Sequence, residues 1–194
     1  TDGAAQAERM STEQFEDYFF DVCAMDYSRM QAALKPLKEL MEKTDKVHVT
    51  GRGTDLTFSI KGMPAVPCAG EVNIPDGEIF AGPVLDSVNG VITYNTTAYF
   101  DGVAFENICF HFENGRIVEA TANDTERLNQ ILDRDEGCRR IGEFAIGLNP
   151  YVTRPMKDSM FNEKMTGSIH FTPGNSITES VNGNRASIHW DIVF

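Results

Sequence analysis

The chain has 194 residues, with 29 acidic and 17 basic side chains, a net charge of −12, 41% hydrophobic residues and 24% charged ones. That is the balance of one globular domain long enough to bury a sizeable core. The surplus of acid argues against nucleic acid and anionic membrane surfaces as partners, since nothing here neutralises phosphate, and no apolar run approaches the ~18 residues of a membrane span. Along the chain, residues 1–10 read as a linker remnant, and Thr1 to Arg9 lack a signal-peptide core. Ser11, with Gln14 three residues on, signals a capped helix over residues 12–24, and apolar positions Met30, Ala33, Leu34, Leu37, Leu40 and Met41 predict a second over 28–43, interrupted by Pro36. From Lys46 to Phe112 the period changes to two, with turn signals at Gly51, Gly53, Asp76-Gly77, Asn89-Gly90 and Asp101-Gly102. A hairpin through Asn114-Gly115 follows, then a helix over 123–136 with Leu128, Ile131 and Leu132 as its buried stripe, and strands resume at Gly142, Gly167 and Arg185. The expected fold is α+β: a strand-rich mixed sheet or partial barrel with two N-terminal helices and one later helix.

The last strand carries the clearest pattern. Ala186, Ile188, Trp190, Ile192 and Phe194 fall on one face, and His189 and Asp191 fall together on the other. His170 opposes Ile169 and Phe171 in the same way, Glu143 opposes Phe144 and Ile146, and Glu78 opens a short apolar run after the Pro75-Asp76-Gly77 turn. Residues two apart on a strand face are about 6–7 Å apart, a spacing at which both converge on metal ions. One such residue opposite an apolar face is ordinarily the solvated side, and His48 and His111 are placed in that class. The set of two histidines and several carboxylates is the mixed N and O donor chemistry of dinuclear hydrolytic sites. Cys23, Cys68, Cys109 and Cys138 stand far apart with no CxxC pair, which reads as reduced thiols in a cytoplasmic protein. Gly51-Arg52-Gly53 lacks the third glycine of a dinucleotide loop and reads as a turn.

Five strings occur in order: Gly53 to Ile60, Asn73 to Phe80, Gly142 to Gly147, Glu163-Lys164 ahead of Gly167 to His170, and Ile188 to Asp191. Together they resemble the thermophilic metallo-aminopeptidase family of the aminopeptidase T and aminopeptidase S type, over nearly the whole chain. The resemblance implies a two-domain cytoplasmic hydrolase that removes N-terminal residues from peptides. It implies two divalent ions (cobalt, zinc, manganese or magnesium) and a homodimer of the full-length protein. Residues 11–194 would be its C-terminal, metal-binding domain, truncated at the C-terminal end, since the chain starts at Thr1 and stops at Phe194 inside a strand. Glu78, Glu143, Glu163, His170, His189 and Asp191 are implied as metal ligands, with Glu143 bridging and Glu143 or Glu163 as the catalytic base. Glu163 enters through the resemblance alone.

One departure stands out. The family's pattern places a tyrosine seven residues after the first histidine, and here that place holds Ile177, which neither ligates nor donates a hydrogen bond. The rival expectation is therefore a non-catalytic, metal-poor domain that keeps the fold, and the isolated fragment is expected to be weak or inactive. Tyr151 is an alternative source of the phenol. A carboxylate-only hydrolase using Glu71 and Glu78 leaves the two histidines and Asp191 unexplained.

Overall fold

The structure is a computed structural model, and it describes residues 2–194. Asp2–Ala7 form a short helix, α1, with Ala5 buried, where a linker was expected; Thr1 lies outside the described residues. Helix α2, Thr12–Cys23, starts at the expected capping box: the Gln14 amide donates to Ser11 Oγ at 3.1 Å and the Ser11 amide donates to Gln14 Oε1 at 2.9 Å. Helix α3, Tyr27–Lys43, is capped by Asp26 and runs through Pro36.

The strands form three open sheets. The first contains β1 (Lys46–Gly51), β2 (Thr54–Ser59), β5 (Asn89–Thr93), β8 (Cys109–Glu113) and β9 (Arg116–Thr121), paired β1-β2-β5-β8-β9. The second contains β3 (Val66–Cys68), β4 (Glu78–Ala81), β10 (Ile141–Gly147) and β11 (Ile169–Pro173), paired β11-β10-β4-β3, and β6 (Ala98–Phe100) with β7 (Val103–Phe105) makes the third. The α+β class holds. Every ladder is antiparallel and no barrel closes among the described residues, which narrows the expected mixed sheet or partial barrel; the parallel pairing is the isolated bridge Asn149–Met165.

Three local expectations are corrected. Asn89-Gly90 is not a turn but the start of β5, where Gly90 lies so close to β2 that a Cβ on it would sit 2.1 Å from the Asp55 carbonyl oxygen. The later helix, α4 (Thr125–Leu132), ends at Leu132 rather than near residue 136, and the 3₁₀ turn Glu136–Arg139 follows it. The last segment lies extended along β11 without a regular ladder: bridges His170–Val193 and Gly174–His189 join the two, and Ile169 and Phe194 exchange backbone hydrogen bonds at 3.1 and 2.8 Å.

The second sheet separates core from site. Ile79, Ala81, Phe144 and Phe171 point from one face into the main apolar core, among Phe58, Phe112 and Trp190. The register pairs Ala145 with Phe80 and with His170, Glu143 with Thr172, and Glu78 with Cys68, so these residues share the opposite face. A bulge between Ile141 and Glu143 makes this possible. Without it, Ile141 of the core and Glu143 would share a face; the extra residue, Gly142, turns Glu143 to the far side. A Cβ on Gly142 would meet the Asn175 carbonyl oxygen at 2.3 Å.

Candidate metal centre

On that far face the expected residues converge. His170 Nε2 lies 3.3 Å from Glu143 Oε1, 3.5 Å from Glu78 Oε2 and 3.9 Å from Asp191 Oδ1. His189 Nε2 lies 3.2 Å from Glu143 Oε2 and 3.4 Å from Asp191 Oδ1. Two groups of three donors result, Glu78–Glu143–His170 and Glu143–His189–Asp191, each with its ligand atoms within 4.8 Å of one another. Glu143 belongs to both. Glu143 is 2% exposed and His170 1%.

Glu163 follows helix α5 (Ser159–Asn162) and joins neither donor group. Its Oε1 is 2.9 Å from the ammonium of Lys164, which is fully buried and also lies 2.6 Å from Glu78 Oε1 and 3.8 Å from Asp76 Oδ1. Five carboxylates against one lysine amount to a formal charge of −4 when all are ionised and both histidines are neutral, the charge that two divalent ions would balance.

The electrostatics follow from that crowding. Burial works against ionised Glu143 and Asp191, but hydrogen bonds from the histidines hold both carboxyls below the usual carboxylate range. Burial raises Glu78, and burial followed by the charge of Asp191 pushes Glu163 up to about 8. Burial disfavours protonated imidazole, yet the hydrogen bond to Glu143 and the surrounding acids push His170 up to about 9. The same competition, with hydrogen bonds to Asp191 and Glu143, pushes His189 up to about 11.

The donor set fits divalent ions on three observations. Its nitrogens and oxygens are of the type that takes such ions. Glu78 Oε2 and Glu143 Oε2 are buried with no hydrogen-bond partner, an arrangement that costs free energy unless a cation faces them. His189 Nδ1–H donates to the Asn175 carbonyl at 2.8 Å, which sets the tautomer and leaves the Nε2 lone pair aimed at the cluster. Thr172 Oγ1 likewise donates to Asp191 Oδ1 at 2.7 Å.

Lys164, Asp76 and Thr172 and the Asn175 carbonyl are parts of this site that pattern reading misses. Lys164 follows Glu163 in the chain, but nothing in its spacing marks it as buried. Cys68 and Asp76 form a further donor group with Glu78, but there the Lys164 ammonium already supplies the positive charge. Glu71 is exposed and engaged by Gln31 Nε2 at 2.8 Å and the Ala69 amide at 2.9 Å. His48 pairs with exposed Asp55, and His111 joins no donor group. Ile177 is half-buried in a cavity wall it shares with Glu78. Tyr151 lines a different cavity with Met25, Met30 and Leu148, so it does not supply the missing phenol.

A family model described as thermophilic metalloprotease (M29) matches residues 1–193. Aminopeptidase AmpS of Bacillus subtilis (strain 168) is 28% identical across 92% of this chain and 48% of its own length. Aminopeptidase T of Thermus thermophilus is 31% identical across 71% of this chain and 36% of its own. Among solved structures, wild-type AmpT from Thermus thermophilus superposes with a TM-score of 0.74 at 26% identity, covering 86% of this chain and 48% of that one. The 2,5-dihydroxypyridine dioxygenase of Pseudomonas putida KT2440 shares the fold, with a TM-score of 0.74 at 17% identity over 92% of this chain and 57% of that one. One fold thus carries two chemistries, and the function must be argued from the site. The chain spans between about a third and a half of the length of the curated relatives named here.

Proposed function

The chain belongs to the thermophilic metalloprotease family M29, and from that premise we propose that it is the metal-binding domain of an aminopeptidase, which hydrolyses the N-terminal residue from peptides. The observation that carries this is the pair of three-donor groups joined through Glu143. Glu78, Glu143 and His170 would hold one divalent ion and Glu143, His189 and Asp191 the other. Two such ions supply Lewis acidity toward a peptide carbonyl and bring the pKa of water to near neutrality.

The chain's own residues do the rest. Glu163, held at 2.9 Å from the Lys164 ammonium, would accept the proton of the attacking water. Lys164 keeps Glu163 and Glu78 in place at 2.9 and 2.6 Å. Asn175 and Thr172 orient His189 and Asp191. Residues 11–194 are proposed as one of two domains of a longer enzyme, and a cytoplasmic setting and a homodimer belong to the same proposal for the whole protein. No helix among the described residues is long and apolar enough to cross a membrane.

A second reading, a domain that keeps the fold and binds metal weakly, is favoured by Ile177, which neither ligates nor donates a hydrogen bond. One experiment separates the two. Purified chain is incubated with zinc or cobalt, its metal content is counted, and release of the first residue is followed from an unblocked peptide and its N-acetylated twin. The proposal expects two ions per chain and cleavage of the unblocked peptide alone, slowly. Fewer than one ion per chain at millimolar metal overturns it in favour of the second reading.

A further inference from the structure

The donor set occupies only part of its sheet face. His170 and Glu143 stand on β11 and β10, Glu78 on β4, and the same face continues to the edge strand through Phe80 with its register partner Val66, and Glu78 with its partner Cys68. Over this continuation lies a cavity of 340 Å³, at the lower end of the ~300–1,000 Å³ range of small-molecule pockets. Its apolar wall is built by Val66, Phe80, Val72 and Ile177, and Glu78 stands at its inner end. Its other charged residues, Glu71, Asp76 and Glu179, are all acids, and no basic side chain lines it. A larger cavity of 480 Å³, between α3 and the Leu148–Tyr151 segment, shares no residue with the donor set.

A hydrolytic site that removes a terminal residue needs a space beside the ions for that residue's side chain. We infer that the cavity between Glu78 and Ile177 is this pocket, and that it takes an uncharged, apolar side chain of about leucine size from the substrate's first residue. The inference rests on the aminopeptidase reading and narrows its substrate class. Volume admits one large side chain, Val66, Phe80 and Ile177 favour a hydrocarbon, the acids repel aspartate and glutamate, and the Lys164 ammonium beside Asp76 and Glu78 works against a cationic side chain. Ile177 thereby gains a role: it is the apolar roof of the pocket and a specificity-determining residue.

The test uses amino-acid amides as probes and methyl NMR of the chain, both metal-free and zinc-loaded. L-Leucinamide should shift the methyl signals of Ile177, Val66 and Val72 saturably. L-Alaninamide should bind at least about tenfold more weakly, since each lost methylene in an apolar pocket costs that order of discrimination, and L-glutamic acid α-amide more weakly still. Ile177→Trp, which fills the space, should lower the leucine-to-alanine ratio by about tenfold or more. Equal binding of leucinamide and alaninamide, or saturable shifts confined to other methyl groups, overturns the inference. Hydrolysis of leucine and alanine p-nitroanilides by the zinc-loaded chain is read separately. Ranked binding by a chain that takes up fewer than one zinc ion keeps the pocket and overturns the aminopeptidase reading; hydrolysis at equal kcat/KM for both keeps that reading and overturns the pocket.

Discussion

At the scale of single residues the site is a contest between burial and charge. Glu143 is 2% exposed and still ionised more readily than an ordinary carboxyl, because two imidazoles lie 3.3 and 3.2 Å from its oxygens. Those imidazoles hold their protons up to about 9 and about 11, whereas a metal requires them neutral. Metal uptake at pH 7 should therefore release protons, and the apparent affinity should rise as pH rises toward these values and fall as pH drops. Calorimetric titrations of zinc in two buffers of different ionisation enthalpy would give different heats; identical heats would mean that the histidines do not ligate. Thr172 donates to Asp191, so Thr172→Val should weaken metal binding by about 10- to 100-fold, the usual effect of losing a group that orients a ligand, with the melting temperature of the metal-free chain as the control for folding. The donors themselves were legible, since strand alternation pointed each away from an apolar face. Lys164 and Asp76 were not, because their roles depend on which strands lie beside them.

At the scale of elements, short-range signals performed well where the turn itself demands a residue. Asn114 and Gly115 both take positive φ, 48° and 78°, as the hairpin between β8 and β9 requires. The same dipeptide logic failed at Asn89-Gly90, because Gly90 serves close strand approach instead. With φ of 110° and the Asp55 carbonyl in the way of any Cβ, Gly90→Ala should destabilise the fold by more than ~1 kcal/mol, measurable by urea unfolding; an unchanged midpoint would show that β2 and β5 can separate freely. The bulge at Gly142 was invisible to periodicity. Reading Glu143 as opposite Phe144 gave the right face, but only the register with β11 shows that Ile141 joins the core at a spacing no plain strand allows. The end of α4 was overrun for a related reason: the apolar stripe stops at Leu132, and the residues after it lead into a 3₁₀ turn rather than a further α-helical turn.

At the scale of the whole molecule, five of the chain's 29 acidic side chains are gathered in one place, around one buried lysine. Filling that place should stabilise the fold. With metal at one hundred times its dissociation constant, linkage adds about 2.7 kcal/mol, which for a chain of this length raises the melting temperature by roughly 5–10 °C. Scanning calorimetry with zinc and with excess chelator measures the difference, and no difference would favour the metal-poor reading. The sequence by itself determined the class of the fold and the family and named the candidate donors, because alternation, capping and ordered motifs are local properties that survive without coordinates. The tertiary structure alone decided that the donors form two groups sharing Glu143, that Lys164 neutralises their neighbours, and that Ile177 roofs a cavity beside them. Those facts depend on register, on a bulge and on charges brought together from distant parts of the chain, and spacing along a chain carries no record of distances across it.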